Sequence, residues 1–288
     1  MLRDSGPDFS AKPYLDRRLI VLSRTEIIEF DRKENETNKS TSELSTSEIL
    51  KKIALQVVVP GYNPLSLLLE ASINVYKLYR KAIRDGVPIL PVSLEDASQL
   101  LFPPGHPREG VVYVGHPAKP QIYYVMAEFH RFVFESKVSE AVEILMALGA
   151  NKIRAERISG WGRDFSSRIS IPVSADIAVV TMEANEKKKI DQSILFEASL
   201  SCKHKPSLPS STIWLPHEST WNMIVQGRLK YGLQNFTLNV SYLDDFGIDA
   251  GLKVAIQKIG LDIGGRFEGH EETIWRLAGD FQSIIDQD

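Results

Sequence analysis

The stretch QIYYVMAEFHRFVFESKVSEAVEILMALGANKIRAERIS, residues 121–158, constrains this chain most, because a hydrophobic pattern of one kind gives way in it to another. Residues 121–134 are rich in aromatic and β-branched types, which fit a pleated, half-buried surface, and predict a strand. Within 137–148, Val138, Ala141, Val142, Leu145, Met146 and Leu148 recur at three- and four-residue steps, the spacing of one helix face. Gly149 supplies a left-handed stop, and residues 151–158 then alternate polar with apolar like a one-sided strand. The predicted order is strand, helix, strand.

A similar order returns near the C-terminus. Residues 236–242 (FTLNVSY) alternate, 248–259 carry helical spacing at Leu252, Ala255, Ile256 and Ile259, Gly260 closes the helix, and 261–267 predict a further extended segment. Setting LMALGANKI against IQKIGLDIG gives few identities, so a duplicated β-α-β unit and independent use of a common motif both fit. The expected fold class is α+β, a mainly antiparallel sheet with packed helices, with room for two related β-α-β units.

The remaining segments fit around these. Residues 19–22 and Ile27, Ile28 and Phe30 predict strand, whereas 32–47 (RKENETNKSTSELSTS) hold almost no apolar residue and predict a linker. A short helix over 47–53 and a buried apolar run at 55–59 come next. Pro64 suits the first position of a helix capped by Asn63, whose stripe of Leu65, Leu68, Leu69, Ser72, Val75, Tyr76, Tyr79 and Ile83 runs to the Asp85-Gly86 stop. Residues 87–120 contain seven prolines, from Pro88 and Pro91 to Pro120, and predict rigid, irregular chain. Segments 168–174 and 194–200 alternate like hairpin strands around a charged tip at 183–191, and a loop covers 203–211. Residues 216–219 can start a helix that carries Trp221, Ile224, Val225 and Leu229 on one side, and 272–281 predict the last strand. The expected segmentation is 1–48, strands and polar linker; 49–205, long helix, first β-α-β unit and hairpin; 206–288, second β-α-β unit.

Composition narrows the function classes. Hydrophobic residues at 43% and charged ones at 25% are those of an ordinary globular chain. A net charge of -3 argues against a surface that is one polyanion-binding field, although it permits a local basic patch. The single cysteine, Cys202, excludes an intramolecular disulfide and a multi-cysteine zinc site, and points to a reducing compartment, expected to be the cytoplasm. No secretory h-region is evident, and no window approaches the roughly 18 uncharged apolar residues of a membrane-spanning helix.

Chemistry is sparsely signposted. GxxxxGK[ST], GxSxG, HExxH and CxxC are all missing, and the glycine-rich run 260–269 (GLDIGGRFEG) follows a helix, which suits a turn better than a dinucleotide site. His270, Glu271 and Glu272 form the densest acid-base group, although neighbours on an extended chain point to opposite sides. Lys187, Lys188, Lys189, Lys203 and Lys205, with Trp214 and Trp221, would join charge to stacking surface as single-stranded nucleic acid requires. Lys203, His204 and Lys205 would favour a Cys202 thiolate, and His130 fits a structural role. His106, His116, His217-Glu218 and Asp244-Asp245 could meet at a metal only through folding, so no metal or cofactor is assigned.

These features point first to a soluble, non-catalytic binding or assembly protein, with another protein or a second copy as partner. One alternative is a hydrolase or nuclease using His270 with Glu271 or Glu272, or a metal. A second is a membrane-active, sheet-forming protein, since the 168–201 hairpin alternates as a strand facing lipid on one side would.

Overall fold

The computed structural model describes residues 12–23, 64–162, 194–201 and 205–282, with the side chains of 64–72 left out. The chain divides into two compact units, Met1–His130 with Phe246–Gly269, and Arg131–Asp245 with His270–Asp288. Helices and two mainly antiparallel sheets make the fold α+β, as the periodicities predict. No helix among the described residues is long and apolar enough to cross a membrane.

The first unit holds α1 (Tyr14–Arg17), β1 (Leu19–Ser23), α2 (Pro64–Arg84), β2 (Ile89–Ser93), β3 (Val112–Gly115) and β4 (Tyr123–Val125). Their sheet runs β2-β1-β3-β4, with β1 parallel to β2 and the other pairs antiparallel. Strand β1 is buried along its whole length, which is why Leu19–Leu22 run apolar rather than alternating, and only its last residue, the buried Ser23, is polar. Ile20, Leu22, Val92, Tyr113, Tyr123 and Val125 form a core cluster with Leu100 and Val111. Helix α2 starts at Pro64 and stops where Gly86 turns left-handed, but it buries Ile73 and Ala82 and leaves Ile83 exposed. The proline-rich segment is more regular than predicted. Pro91 sits inside β2, an edge strand among those described, where its missing N–H costs little.

His116 in this unit is fully buried, and its Nδ1 accepts from the N–H groups of Ala118 and Lys119, both at 3.0 Å. Burial, reinforced by Lys119 and Arg17, pushes its pKa down to about 4. A lowered histidine pKa means that the unfolded chain takes up the proton first, so stability is complete above about pH 6.5 and is lost as pH falls towards 4. The expected loss is up to about 3 kcal/mol across that window. Urea midpoints of the first unit at pH 7, 5.5 and 4.5 measure it, and the His116→Asn variant should show a shallower slope. Equal slopes would contradict this assignment.

The second unit takes α3 from Arg131 onward (Phe129–Ala147), β5 (Ala150–Ser159), β6 (Ile194–Ser199), α4 (Ser219–Tyr231), β7 (Asn235–Tyr242) and β8 (Thr273–Phe281). Its sheet runs β6-β5-β8-β7, every pair antiparallel. Phe236, Leu238, Val240 and Tyr242 alternate with exposed or half-buried neighbours along β7, and they share the buried interior with Trp275 and Leu277 of β8. Phe134 of α3 meets Trp275 edge-on at 5.1 Å. Helix α4 buries Trp221, Ile224, Val225 and, unexpectedly, Arg228, while Leu229 is exposed. Strand β7 is an edge strand among those described, and two of its carbonyls are occupied by side chains: Trp221 Nε1 donates to Asn239 O and Lys137 Nζ to Ser241 O, which blunts the edge against further pairing.

Three further predictions need correction. Residues 121–134 form strand only at β4, and Phe129 already begins α3, because Phe129, Val133, Phe134, Val138 and Ala141 follow a helical period and are all buried. Residues 261–267 make no strand but one bridge, Val111 with Asp262, before Gly264 and Gly265 turn to positive φ. The strand-helix-strand orders therefore do not close as β-α-β units: β4 and β5 lie in different sheets, and α5 (Ala250–Ile259) belongs to the first unit whereas β7 belongs to the second. The 32–47 linker, the 47–53 helix and the 168–191 part of the hairpin fall outside the described residues.

Candidate functional site

The second unit carries an open depression of about 450 Å³ lined by Leu243, Asp244, Asp245, His270 and Glu272. Strand pairing creates it. Tyr242, the last residue of β7, is the partner of Thr273, the first of β8, so 243–245 leave and 270–272 enter at the same end of the sheet. Asp244-Asp245 and His270-Glu272, far apart in sequence, are thereby brought together.

The end of the sheet is held firmly. Trp161 N donates to Thr273 Oγ1 at 3.2 Å, Thr273 Oγ1 donates to Glu271 O at 2.8 Å, and Trp275 Nε1 donates to Trp161 O at 2.8 Å. Gly160 is required here, since its φ is 73° and a β-carbon would overlap Thr273 Oγ1 and the Glu272 carbonyl. The Trp161 ring stacks on Tyr242 at 5.7 Å, and the half-buried His270 lies against Tyr242 at 5.2 Å. The Trp161–Tyr242 stack thus packs beside the histidine, which itself lines the depression.

His270 and Glu272 share the depression, and Glu271 between them does not line it, in keeping with the two-residue repeat of extended chain. Carboxylates beside an imidazole can bind a cationic group, or can orient a ring that carries protons. Among the described residues no group of three His, Cys, Asp or Glu is arranged to hold a metal ion. Neither family models, curated proteins nor solved structures match the chain.

The other sequence-derived residues lie elsewhere. Trp214 and Trp221 are 7% and 1% exposed; Trp214 Nε1 donates to Ser136 Oγ and Trp221 Nε1 to Asn239 O, so both indoles belong to the packed interior. Lys205 is exposed, and Lys187, Lys188, Lys189, Lys203 and Cys202 fall outside the described residues. His130 is buried in α3 and its Nε2–H donates to Ile248 O at 2.7 Å, a structural bond. His217 is exposed, and Glu218 pairs with Lys137.

Sequence reasoning missed a polar clamp in this unit. Glu140 of α3 accepts three backbone N–H groups, from Ile213, Trp214 and Leu215, at 2.7–2.9 Å. Lys137, one turn earlier, donates to Ser241 O, pairs with Glu218 and lies 5.3 Å from the centre of the Trp214 ring. The signal in the sequence was the pair Lys137 and Glu140, three residues apart on a helix whose other face is apolar.

Proposed function

We propose that this chain is a non-catalytic binding or assembly protein acting through protein-protein contacts, and that the depression at the β7-β8 end is the surface it uses. The supporting observation is the lining: three carboxylates, Asp244, Asp245 and Glu272, line one depression with a half-buried histidine and a leucine that is 57% exposed. An open acidic surface steers cationic partners, and an apolar side chain beside it adds area that is removed from water on contact. A segment presenting Lys or Arg next to an apolar residue matches this lining, from another protein or from a second copy. The cytoplasm suits a chain whose single cysteine leaves no internal disulfide to keep oxidised.

The test is the intact chain carrying Asp244→Asn, Asp245→Asn and Glu272→Gln together, expressed in its native host and purified beside the unaltered protein. Asp244 and Glu272 are exposed and Asp245 half-buried, so the fold should be retained. The copurifying protein is expected to fall about tenfold or more, since rim charges worth up to about 1 kcal/mol each act together. An unchanged yield of that protein would overturn the reading.

A hydrolase or nuclease is the second reading, favoured because His270 and Glu272 line one depression with Asp244 and Asp245. It requires His270→Ala to abolish turnover while thermal unfolding stays unchanged; turnover that survives the substitution removes it. The membrane-active and nucleic-acid readings rest largely on residues outside those described.

A further inference from the structure

The loop 103–110, PPGHPREG, precedes β3 in the first unit and is tied to it through one phenol. Tyr113 of β3 is fully buried, and its Oη lies 2.7 Å from His106 Nδ1 and 2.7 Å from the backbone nitrogen of Arg108. Phe102 packs edge-on against the Tyr113 ring at 4.9 Å, and the half-buried His106 ring does so at 5.5 Å. The Arg108 N–H can only donate, so it occupies one acceptor position of the phenol oxygen. The phenol's own hydrogen then goes to His106 Nδ1, which assigns the imidazole as neutral with its proton on Nε2.

We infer that His106 and Tyr113 form an acid-released latch: neutral His106 holds the 103–110 loop on β3, and protonated His106 releases it. A second proton converts Nδ1 from acceptor to donor. Tyr113 Oη then faces two donors, Arg108 N–H and Nδ1–H, and its own hydrogen is left in a buried place without the acceptor it had. Relief comes by moving His106 and its loop towards water.

The charged groups facing His106 come from three segments: Arg108 in its own loop, Glu128 in the turn before α3, and Asp262 after α5. Burial first, and Arg108 second, hold the imidazole below its ordinary value of 6.5, against the opposing pull of Glu128 and Asp262. With the folded pKa depressed, the closed loop is fully kept above about pH 6.5 and is lost as pH falls through the folded value.

Nuclear magnetic resonance of the intact chain with labelled histidine tests this directly. At pH 7.5 the His106 ring should carry its proton on Nε2. On acidification it should titrate below 6.5, and the Arg108 amide proton should move upfield along the same curve. The His106→Gln variant keeps an acceptor oxygen without a titrating group, so its Arg108 amide should stay in place. Tyr113→Phe should raise the His106 pKa by removing a hydrogen bond that favours the neutral ring. A proton on Nδ1 at pH 7.5, or an Arg108 amide that ignores the His106 titration, would overturn the latch. If Tyr113→Phe fails to fold, the unaltered chain and His106→Gln decide the matter alone.

Discussion

Replacing Glu140 by alanine should destabilise the second unit by about 3–5 kcal/mol. The carboxylate is 7% exposed and accepts from Ile213, Trp214 and Leu215, which run into the short 3-10 helix Leu215–His217. The first N–H groups of any helix lack internal partners, and here a distant side chain satisfies them with charge-assisted bonds. Alanine leaves three donors without their acceptor, two of them in bonds that are buried. Glu140→Gln keeps an acceptor oxygen but sets an NH₂ against a donor, and should cost roughly half as much. All four tryptophans lie in the second unit, so their fluorescence in urea follows that unit's unfolding. A loss below about 1 kcal/mol for Glu140→Ala would mean that the 213–218 segment holds its place without the clamp.

Arg228→Met should cost a similar amount, about 3–4 kcal/mol, although the methionine preserves much of the volume. Arg228 is 2% exposed and donates from Nε to Leu148 O, from Nη1 to Leu233 O and from Nη2 to Gln282 O. Those carbonyls belong to the end of α3, the turn after α4 and the residue after β8, so one guanidinium joins three chain endings. Its carbon lies 4.9 Å from the centre of the Phe281 ring. Lysine supplies the charge but not the planar fork, so Arg228→Lys should recover less than half of the loss. Full recovery by lysine in urea unfolding would show that charge, rather than the fork, is what the three carbonyls require.

Much of the fold was legible where local chemistry and burial agree. Pro64 and Gly86 bound α2, Gly149 and Gly260 are left-handed at the ends of α3 and α5, and the alternation of β7 matches one buried and one open face. The sequence misled where tertiary burial overrode propensity. Phe129, Phe132, Val133 and Phe134 are strand-formers by type, yet they lie in the first turns of α3, where Phe129, Val133 and Phe134 are buried. Pro91 argued against regular structure and sits in a strand, because position in the sheet decides whether a missing N–H matters. That residues 246–269 return to the first unit while 270–282 complete the second sheet cannot be read along the chain.

The candidate site was half legible. His270 and Glu272 stood out as a dense acid-base group, and Asp244-Asp245 as a separate pair. Only the register that sets Tyr242 opposite Thr273 joins them. Leu243 carried no signal of its own, since an isolated leucine after a strand is ordinary. Glu140 and Arg228 were hidden for another reason: each acts on backbone groups distant in sequence, and a carbonyl or N–H has no letter in the sequence.

The most direct test of the central claim is the mass, by light scattering, of the intact protein purified from its native host, with every copurifying chain identified. The binding reading predicts a defined assembly heavier than the 32.3 kDa single chain. It also predicts that the assembly returns to the single-chain mass when Asp244, Asp245 and Glu272 are neutralised. A lone chain at the single-chain mass, with nothing attached before any substitution, would contradict it.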